Sequence, residues 1–128
     1  MNQKLSIGQI EDKITKNVTK FYAETIGHGP RETKVYILDD MVIVRLKGKL
    51  LPIEQKLLEE KSGIGLVKNI REMLHEIITN HLSSIVSELT GHKVISSHSD
   101  ISTKTGEMLE VFILDTCYES EFKTGKDR

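Results

Sequence analysis

The segment from residue 64 to residue 90 places the strongest constraint on how this chain can fold. Its apolar residues recur at intervals of three and four, a spacing that predicts an amphipathic helix with one apolar stripe. The stripe consists of Val67, Ile70, Leu74, Ile77, Ile78, Leu82, Ile85 and Leu89. We expect Ser62 to cap the start of the helix and Gly91 to end it. A helix of this length spans roughly 40 Å, so its stripe must pack across a sheet or a partner helix.

The remaining segments supply packing partners for that helix. Residues 6–26 repeat the helical spacing, and Pro52 begins a short amphipathic helix that runs to residue 61. Two pairs of strands are predicted from runs rich in Val and Ile: 34–38 with 41–47, around the turn Asp39-Asp40, and 93–97 with 107–115.

A single hairpin cannot bury its apolar face. We therefore predict an α+β fold in which two β-hairpins form one four-stranded antiparallel sheet. The sheet is packed with an N-terminal helix, a short helix and a long helix, in the order α-ββ-α-α-ββ. We predict a single domain over residues 1–118 and a frayed C-terminal tail over residues 119–128, which are short of apolar side chains.

Composition excludes several classes of function. Eighteen Lys and Arg residues nearly balance nineteen Asp and Glu residues, and the chain has three Tyr, three Phe and no Trp. Balanced charge and few aromatic side chains argue against nucleic-acid binding. A single cysteine, Cys117, excludes an internal disulfide and fits a reducing compartment. With no leader pattern and no uncharged run of about 18 residues, we predict a cytoplasmic protein without direct membrane insertion.

Three patterns resemble catalytic or metal sites, and each falls short of the chemistry. His75 and His81 are six residues apart, whereas the zinc-binding helix of metalloproteases needs histidines four apart. Ser96, His98 and Asp100 alternate along a predicted strand, but neighbours two apart stand roughly 7 Å from each other, too far for a relay of hydrogen bonds. Cys117 has no C-x-x-C partner. We predict no catalytic, cofactor-binding or metal-binding residues, and we leave the question of enzymatic activity open.

Two weaker clusters are candidates for binding an anion or a protein partner. The turn Gly27–Arg31 contains His28, Gly29 and Arg31, where backbone N–H groups and a guanidinium can approach an anion. The alternative is a rigid turn that joins the first helix to the sheet. Arg45 and Arg71 are candidates for a shared basic patch that binds bicarbonate or an acidic loop, with structural ion pairs as the alternative.

The long helix also suggests self-association. Val67, Leu74 and His81 fall at heptad spacing. That spacing is typical of helices that pair along a seam, so part of this helix is predicted to meet its copy in a homodimer.

The order of sequence blocks along the chain resembles the MpsC family. The blocks include GHGPR at 27–31, VYILDDMVIVRLKG at 35–48, LPIEQKL at 51–57, GLVKNIREML at 65–74 and VFILD at 111–115. The chain departs from the family pattern at Leu51, where a threonine is expected before Pro52 and would give a better helix cap. A second departure is His28, where another polar or basic residue is usual.

The resemblance implies a small cytosolic protein associated with a sodium-linked system that generates membrane potential and supports inorganic-carbon supply. In that system a membrane subunit similar to an ion-translocating subunit of respiratory complex I works with a large carbonic-anhydrase-like partner. We therefore expect a non-enzymatic accessory or regulatory protein that acts by protein–protein binding. The alternatives are a sensor of a small molecule or anion, such as bicarbonate or a nucleotide, and a small enzyme.

Overall fold

The computed structural model describes residues 5–48, 50–102 and 104–122. Its elements follow one another in the predicted order, and the α+β fold class is confirmed. In chain order they are α1 Ile7–Ile26, β1 Glu32–Leu38, β2 Met41–Lys47, α2 Pro52–Leu57, α3 Lys61–Thr90, β3 Val94–Ile101, β4 Met108–Leu114 and a 3-10 helix at Tyr118–Phe122.

The four strands form one antiparallel sheet in the order β1-β2-β4-β3. Each hairpin pairs its own two strands, and β2 joins β4 at the centre, with Met41 opposite Ile113 and Leu46 opposite Met108. The two hairpins therefore share one continuous apolar face. A β-bulge between Val94 and Ser96 shifts the register of β3 near its start.

Helices α1 and α3 cover one face of the sheet. The fully buried core joins Ile14, Val18 and Tyr22 of α1 to alternate residues of the central strands and to α3. On the central strands and α3, the core side chains are Val42, Val44, Leu46, Met108, Phe112, Leu114, Ile78, Leu82 and Val86. The two-residue period of the strands and the three-to-four-residue period of the helices thus converge on one core.

The start of α3 differs from the prediction. The helix begins at Lys61 with Glu60 at its N-cap, and Ser62 is not the cap. Gly63 lies inside the helix, where a Cβ would fall 1.8 Å from the carbonyl oxygen of Leu57. The glycine therefore permits close approach of α2 and α3, so that its role is packing and not chain termination.

The apolar residues of α3 also divide differently from the single predicted stripe. Val67, Ile78, Leu82 and Val86 are buried, whereas Ile70 and Ile77 are 40% and 48% exposed. Val67 was predicted to lie on a dimer seam with Leu74 and His81. Because it is fully buried against the core of its own chain, it is not available for that contact.

The C-terminal segment packs on the first hairpin. Glu119 is buried, its carboxylate accepts a hydrogen bond from the backbone N–H of Asp39 at 2.9 Å, and its own N–H donates to the Asp39 carbonyl. Asp39 adopts a positive φ of 54°. The two hydrogen bonds with Glu119 therefore stabilise the Asp39-Asp40 turn, whose sequence is a weak turn former on its own. Of the predicted tail, residues 119–122 belong to the 3-10 helix, and the rest lies outside the described residues.

Candidate functional site

Helix α3 carries a polar seam on its buried side. Arg71, His75 and Thr79 follow one another at intervals of four residues, so their side chains share one face of the helix. That face points into the core, where two carboxylates from other elements meet it: Glu54 of α2 and Glu110 of β4. We use the name polar seam for these five residues.

The first half of the seam is a buried, bidentate ion pair. Glu54 and Arg71 are 4% and 3% exposed. The Arg71 Nε donates to Glu54 Oε2 at 2.5 Å, and Nη2 donates to Oε1. Glu54 Oε1 also accepts from the backbone N–H of Leu51, so the same carboxylate caps the start of α2 in place of the missing threonine.

The ion pair overcomes the cost of burial for both groups. Burial on its own would raise the pKa of Glu54, but the hydrogen bonds from Arg71 and Leu51 outweigh it and lower the pKa. Burial likewise acts to lower the pKa of Arg71, and the contacts with Glu54, with a smaller effect of Tyr22, raise it. Both side chains therefore stay charged inside the protein.

The second half of the seam is a carboxylate shared by two donors. Glu110 is fully buried, its Oε1 accepts a hydrogen bond from Thr79 Oγ1 at 2.6 Å, and its Oε2 lies 2.5 Å from His75 Nε2. Burial raises the pKa of Glu110, although Thr79 and His75 oppose that shift. His75 lies closer to solvent, with 13% of its side chain exposed. The imidazole of His75 and the carboxylate of Glu110 are thus in direct hydrogen-bond contact.

A cavity of about 170 Å³ opens beside the ion pair. It lies between α2 and α3, near the end of α1, and most of its lining is apolar. The lining residues are Thr25, Ile26, Leu51, Ile53, Glu54, Leu57, Ile70, Arg71 and Leu74.

The predicted basic patch of Arg45 and Arg71 is wrong, because the two side chains lie on opposite sides of the sheet. Arg71 is enclosed with Glu54 on the helical side. Arg45 lies on the other side, where its Nε donates to Glu107 Oε2 at 2.9 Å. For both residues, the alternative prediction of structural ion pairs is confirmed.

The predicted turn Gly27–Arg31 lies at one end of the sheet. Gly27 ends α1 in the left-handed conformation, with φ of 102°. The backbone N–H of Arg31 donates to the Lys47 carbonyl, which fixes the turn against β2. His28 Nδ1 lies 3.1 Å from the Gly29 carbonyl oxygen. This geometry explains the turn as a rigid joint, and anion or partner binding at His28, Gly29 and Arg31 stays a prediction.

The face of the sheet that points away from the helices is the second notable surface. Twelve side chains line up there in rows across the four strands, and all of them are exposed or half-exposed. We call this the open sheet face. Its residues are Lys34, Tyr36 and Leu38 of β1, Met41, Ile43 and Arg45 of β2, Leu109, Val111 and Ile113 of β4, and Ser96, His98 and Asp100 of β3.

The sequence patterns that resembled catalytic sites have structural explanations. Ser96, His98 and Asp100 are exposed in one row of an edge strand. His81 stacks on Phe21 with ring centroids 4.6 Å apart, whereas His75 contacts Glu110. Cys117 is exposed. Within residues 5–48, 50–102 and 104–122, no group of three or more His, Cys, Asp or Glu side chains is placed to hold a metal ion.

Sequence reasoning missed both carboxylates of the polar seam. Glu110 could have been recognised in the sequence, because it occupies the same alternate positions as Met108, Phe112 and Leu114, which face the buried side of β4. An acidic residue in the phase of a core strand predicts a buried partner. Glu54 left a weaker signal, as the third residue of a helix that starts with proline.

Comparison with known proteins agrees with the order of sequence blocks. The family described as "Na+-translocating membrane potential-generating system (MpsC)" matches residues 6–116. The uncharacterized protein YbcI of Bacillus subtilis (strain 168) is 40% identical over 111 residues, which cover 87% of this chain and 90% of the relative. No solved structure matches the chain. Among the helices of the described residues, none combines the length and apolar character needed to cross a bilayer.

Proposed function

This chain belongs to the MpsC family, and on that premise we propose that it is a cytosolic, non-enzymatic accessory or regulatory protein that acts by binding a protein partner. Family membership links it to a Na+-translocating system that generates membrane potential. The proposal adds that its partner is the membrane subunit of that system, and that the system supports inorganic-carbon supply.

The open sheet face is the observation that carries the proposal. Tyr36, Leu38 and Leu109 are 47%, 47% and 42% exposed on it. Tyr36 is in register with the half-exposed Ile43 and Val111, and the other two lie in the adjacent rows. A contiguous apolar surface of this kind on a folded domain is typical of a protein-binding site.

Basic residues cluster at the end of the open sheet face next to the Gly27–Arg31 turn. Arg31, Lys34, Arg45 and Lys47 gather there with the three carboxylates Glu32, Asp100 and Glu107. The excess of positive charge fits a partner whose contact surface is apolar with an acidic rim, since complementary charge steers and selects partners.

The test uses a deletion strain of the source organism. Membrane potential and growth are measured with and without sodium, and in air and elevated CO2. The strain is complemented with the wild-type chain, with the double variant Leu38→Asp and Leu109→Asp, or with Ile95→Asp. Ile95 is a matched control, because it is 64% exposed at the β3 bulge and lies outside the open sheet face.

We expect the deletion to lower the membrane potential, and the wild type and Ile95→Asp to restore it. The double variant should fold, as judged by circular dichroism, and fail to restore the potential. It should also lose co-purification with the membrane subunit. A deletion strain with normal potential under every condition would defeat the proposal. If the double variant restores the potential as well as the wild type does, the open sheet face is not the partner-binding surface.

The cavity between α2 and α3 is the one observation that favours the alternative, a small-molecule sensor. Because the Arg71 guanidinium in its wall is already paired with Glu54, an apolar ligand fits this cavity better than bicarbonate or a nucleotide does. Thermal unfolding with a panel of such compounds tests the alternative, since a ligand of the native state raises the midpoint.

A further inference from the structure

We infer that helix α3 pairs with α3 of a second copy of this chain, in antiparallel orientation, along an exposed apolar stripe. This inference is independent of the proposed function, because it uses the side of α3 that faces solvent and not the open sheet face. The stripe consists of Leu66, Ile70, Met73 and Ile77, together with Ile53 of the neighbouring helix α2. Their exposed fractions are 50%, 40%, 69%, 48% and 68%.

The four α3 positions have the spacing of a coiled-coil seam. They lie at intervals of four, three and four residues, the alternating spacing of the apolar positions in a heptad, which keeps the stripe facing one partner helix. The seam has the period predicted from Val67, Leu74 and His81, but it lies one residue earlier along the helix. That offset rotates it by about 100°, from the core of the chain to its surface.

The stripe is complementary to itself under a two-fold axis. In an antiparallel pair centred between residues 71 and 72, Leu66 of one copy lies opposite Ile77 of the other, and Ile70 lies opposite Met73. Every apolar position then meets an apolar position, which is the requirement for a symmetric two-fold interface.

The cavity beside α3 gives that orientation a specific contact. Ile53, Ile70 and Leu74 form part of its wall. Only the antiparallel pair brings Met73 of the second copy to Ile70, at the mouth of this cavity; a parallel pair would place Met73 on Met73. The unbranched thioether side chain of methionine fills irregular apolar cavities well. A side chain seated in such a pocket is typical of an interface hot spot.

Polar residues at the edge of the stripe agree with the same register. Asn69 and Glu76 flank it on the side away from the core of the chain. In the antiparallel pair, Asn69 lies across from Glu76 of the second copy, so that an amide N–H meets a carboxylate and two carboxylates do not meet. Together the two copies would bury ten large apolar side chains that are now 40% to 69% exposed.

The first test is the oligomeric state of the full chain. Sedimentation equilibrium should give a dimer of the 14.5 kDa chain for the wild type and for the control Ile95→Glu. Met73→Glu should raise the dimer Kd at least about 100-fold, because the symmetric interface loses the same anchor twice. The inference is overturned by a wild type that stays monomeric up to its highest soluble concentration. It is equally overturned if Met73→Glu dimerises like Ile95→Glu.

The second test measures whether the two α3 helices pair in antiparallel or parallel orientation. It also keeps the inference testable if Met73→Glu folds poorly. In a Cys117→Ser background, the double variant L66C/I77C should form covalent dimers on mild oxidation, whereas L66C and I77C alone should not. The two positions lie roughly 17 Å apart within one helix, so a disulfide between them must join two copies. Efficient dimerisation of the single variants would show a parallel pair and overturn the assigned orientation. If no variant cross-links, a helix of another protein becomes the better occupant of the stripe.

Discussion

Removing one partner of the Glu54–Arg71 pair should destabilise the protein far more than removing both. Arg71→Met leaves the buried Glu54 carboxylate without its bidentate donor, and Glu54→Gln leaves a buried guanidinium facing a neutral amide. Breaking a buried ion pair in this way costs about 3–5 kcal/mol, whereas replacing the whole pair is often close to neutral. Gln at position 54 can still accept the hydrogen bond from Leu51, so the cap of α2 is kept.

The double variant Glu54→Gln/Arg71→Met distinguishes coupled from independent contributions. If the single costs simply added, the loss would be about 6–10 kcal/mol, comparable with the entire stability of many domains. We expect instead that the double variant lies within about 2 kcal/mol of the wild type, because it removes both buried charges together. The double-mutant cycle then gives a large coupling energy.

Urea unfolding followed by far-ultraviolet circular dichroism is the appropriate measurement, because the chain has no Trp. Arg45→Met is the matched control. It breaks the ion pair with Glu107, whose two side chains are 42% and 35% exposed, and should cost at most about 1 kcal/mol. Additive single costs, or an Arg71→Met cost no larger than that of Arg45→Met, would refute the assignment of the pair as a coupled, buried unit.

The same pair predicts the direction of a pH dependence. Because the pKa of Glu54 is lowered in the folded protein, its contribution is present above the unfolded pKa and is lost as the pH falls through the folded pKa. The difference in stability between wild type and Arg71→Met should therefore shrink in acid. A difference that stays constant down to the folded pKa of Glu54 would contradict the stated protonation state.

Three further substitutions test other parts of the structure. Burial raises the pKa of Glu110, so its contribution to stability depends on pH in the opposite direction to that of Glu54. Stability falls as the pH rises from the unfolded-state pKa of Glu110 towards its folded-state pKa. Glu110→Gln should flatten this slope in urea titrations at a series of pH values. Glu119→Ala should lower the free energy of unfolding by about 1–3 kcal/mol in the same assay, because it removes the buried carboxylate that accepts the hydrogen bond from the backbone N–H of Asp39. Gly63→Ala should destabilise by about 1–3 kcal/mol through its clash with the α2 backbone. Its control Gly65→Ala, with nothing within 4 Å of the added Cβ, should stabilise the helix by up to about 1 kcal/mol.

Local patterns in the sequence were sufficient to predict the elements and their order. The run rich in Val and Ile at 41–47 predicts a strand, and the three-to-four spacing in α3 predicts a helix. The two apolar hairpins then leave few ways to be buried. The start of α3 was mispredicted because Ser62 has the residue type of a helix cap, while the role of the neighbouring Gly63 depends on the position of the Leu57 backbone. Such a contact between elements leaves no local trace.

The candidate site was harder to predict for a related reason. Arg71 was predicted to share a basic patch with Arg45, and nothing near it in sequence identifies Glu54, seventeen residues away, as its partner. The apolar residues of α3 were assigned to one stripe because a three-to-four spacing allows for either one wide face or two adjacent ones. Burial of Val67 and exposure of Leu66 are settled only by the angle at which the helix lies on the sheet.

The two proposed interfaces are compatible in one assembly. The α3 stripe is on the helical side of the molecule, and the open sheet face is on the other side, so pairing through α3 leaves both sheet faces pointing outward. A dimer would then present two identical partner-binding surfaces. If the membrane system contains two copies of the partner within reach, the second contact becomes intramolecular and binding strengthens without any new contact. Met73→Glu should then weaken membrane association even though its open sheet face is intact, and a variant that is monomeric yet binds membranes as tightly as the wild type would show that the two surfaces work independently.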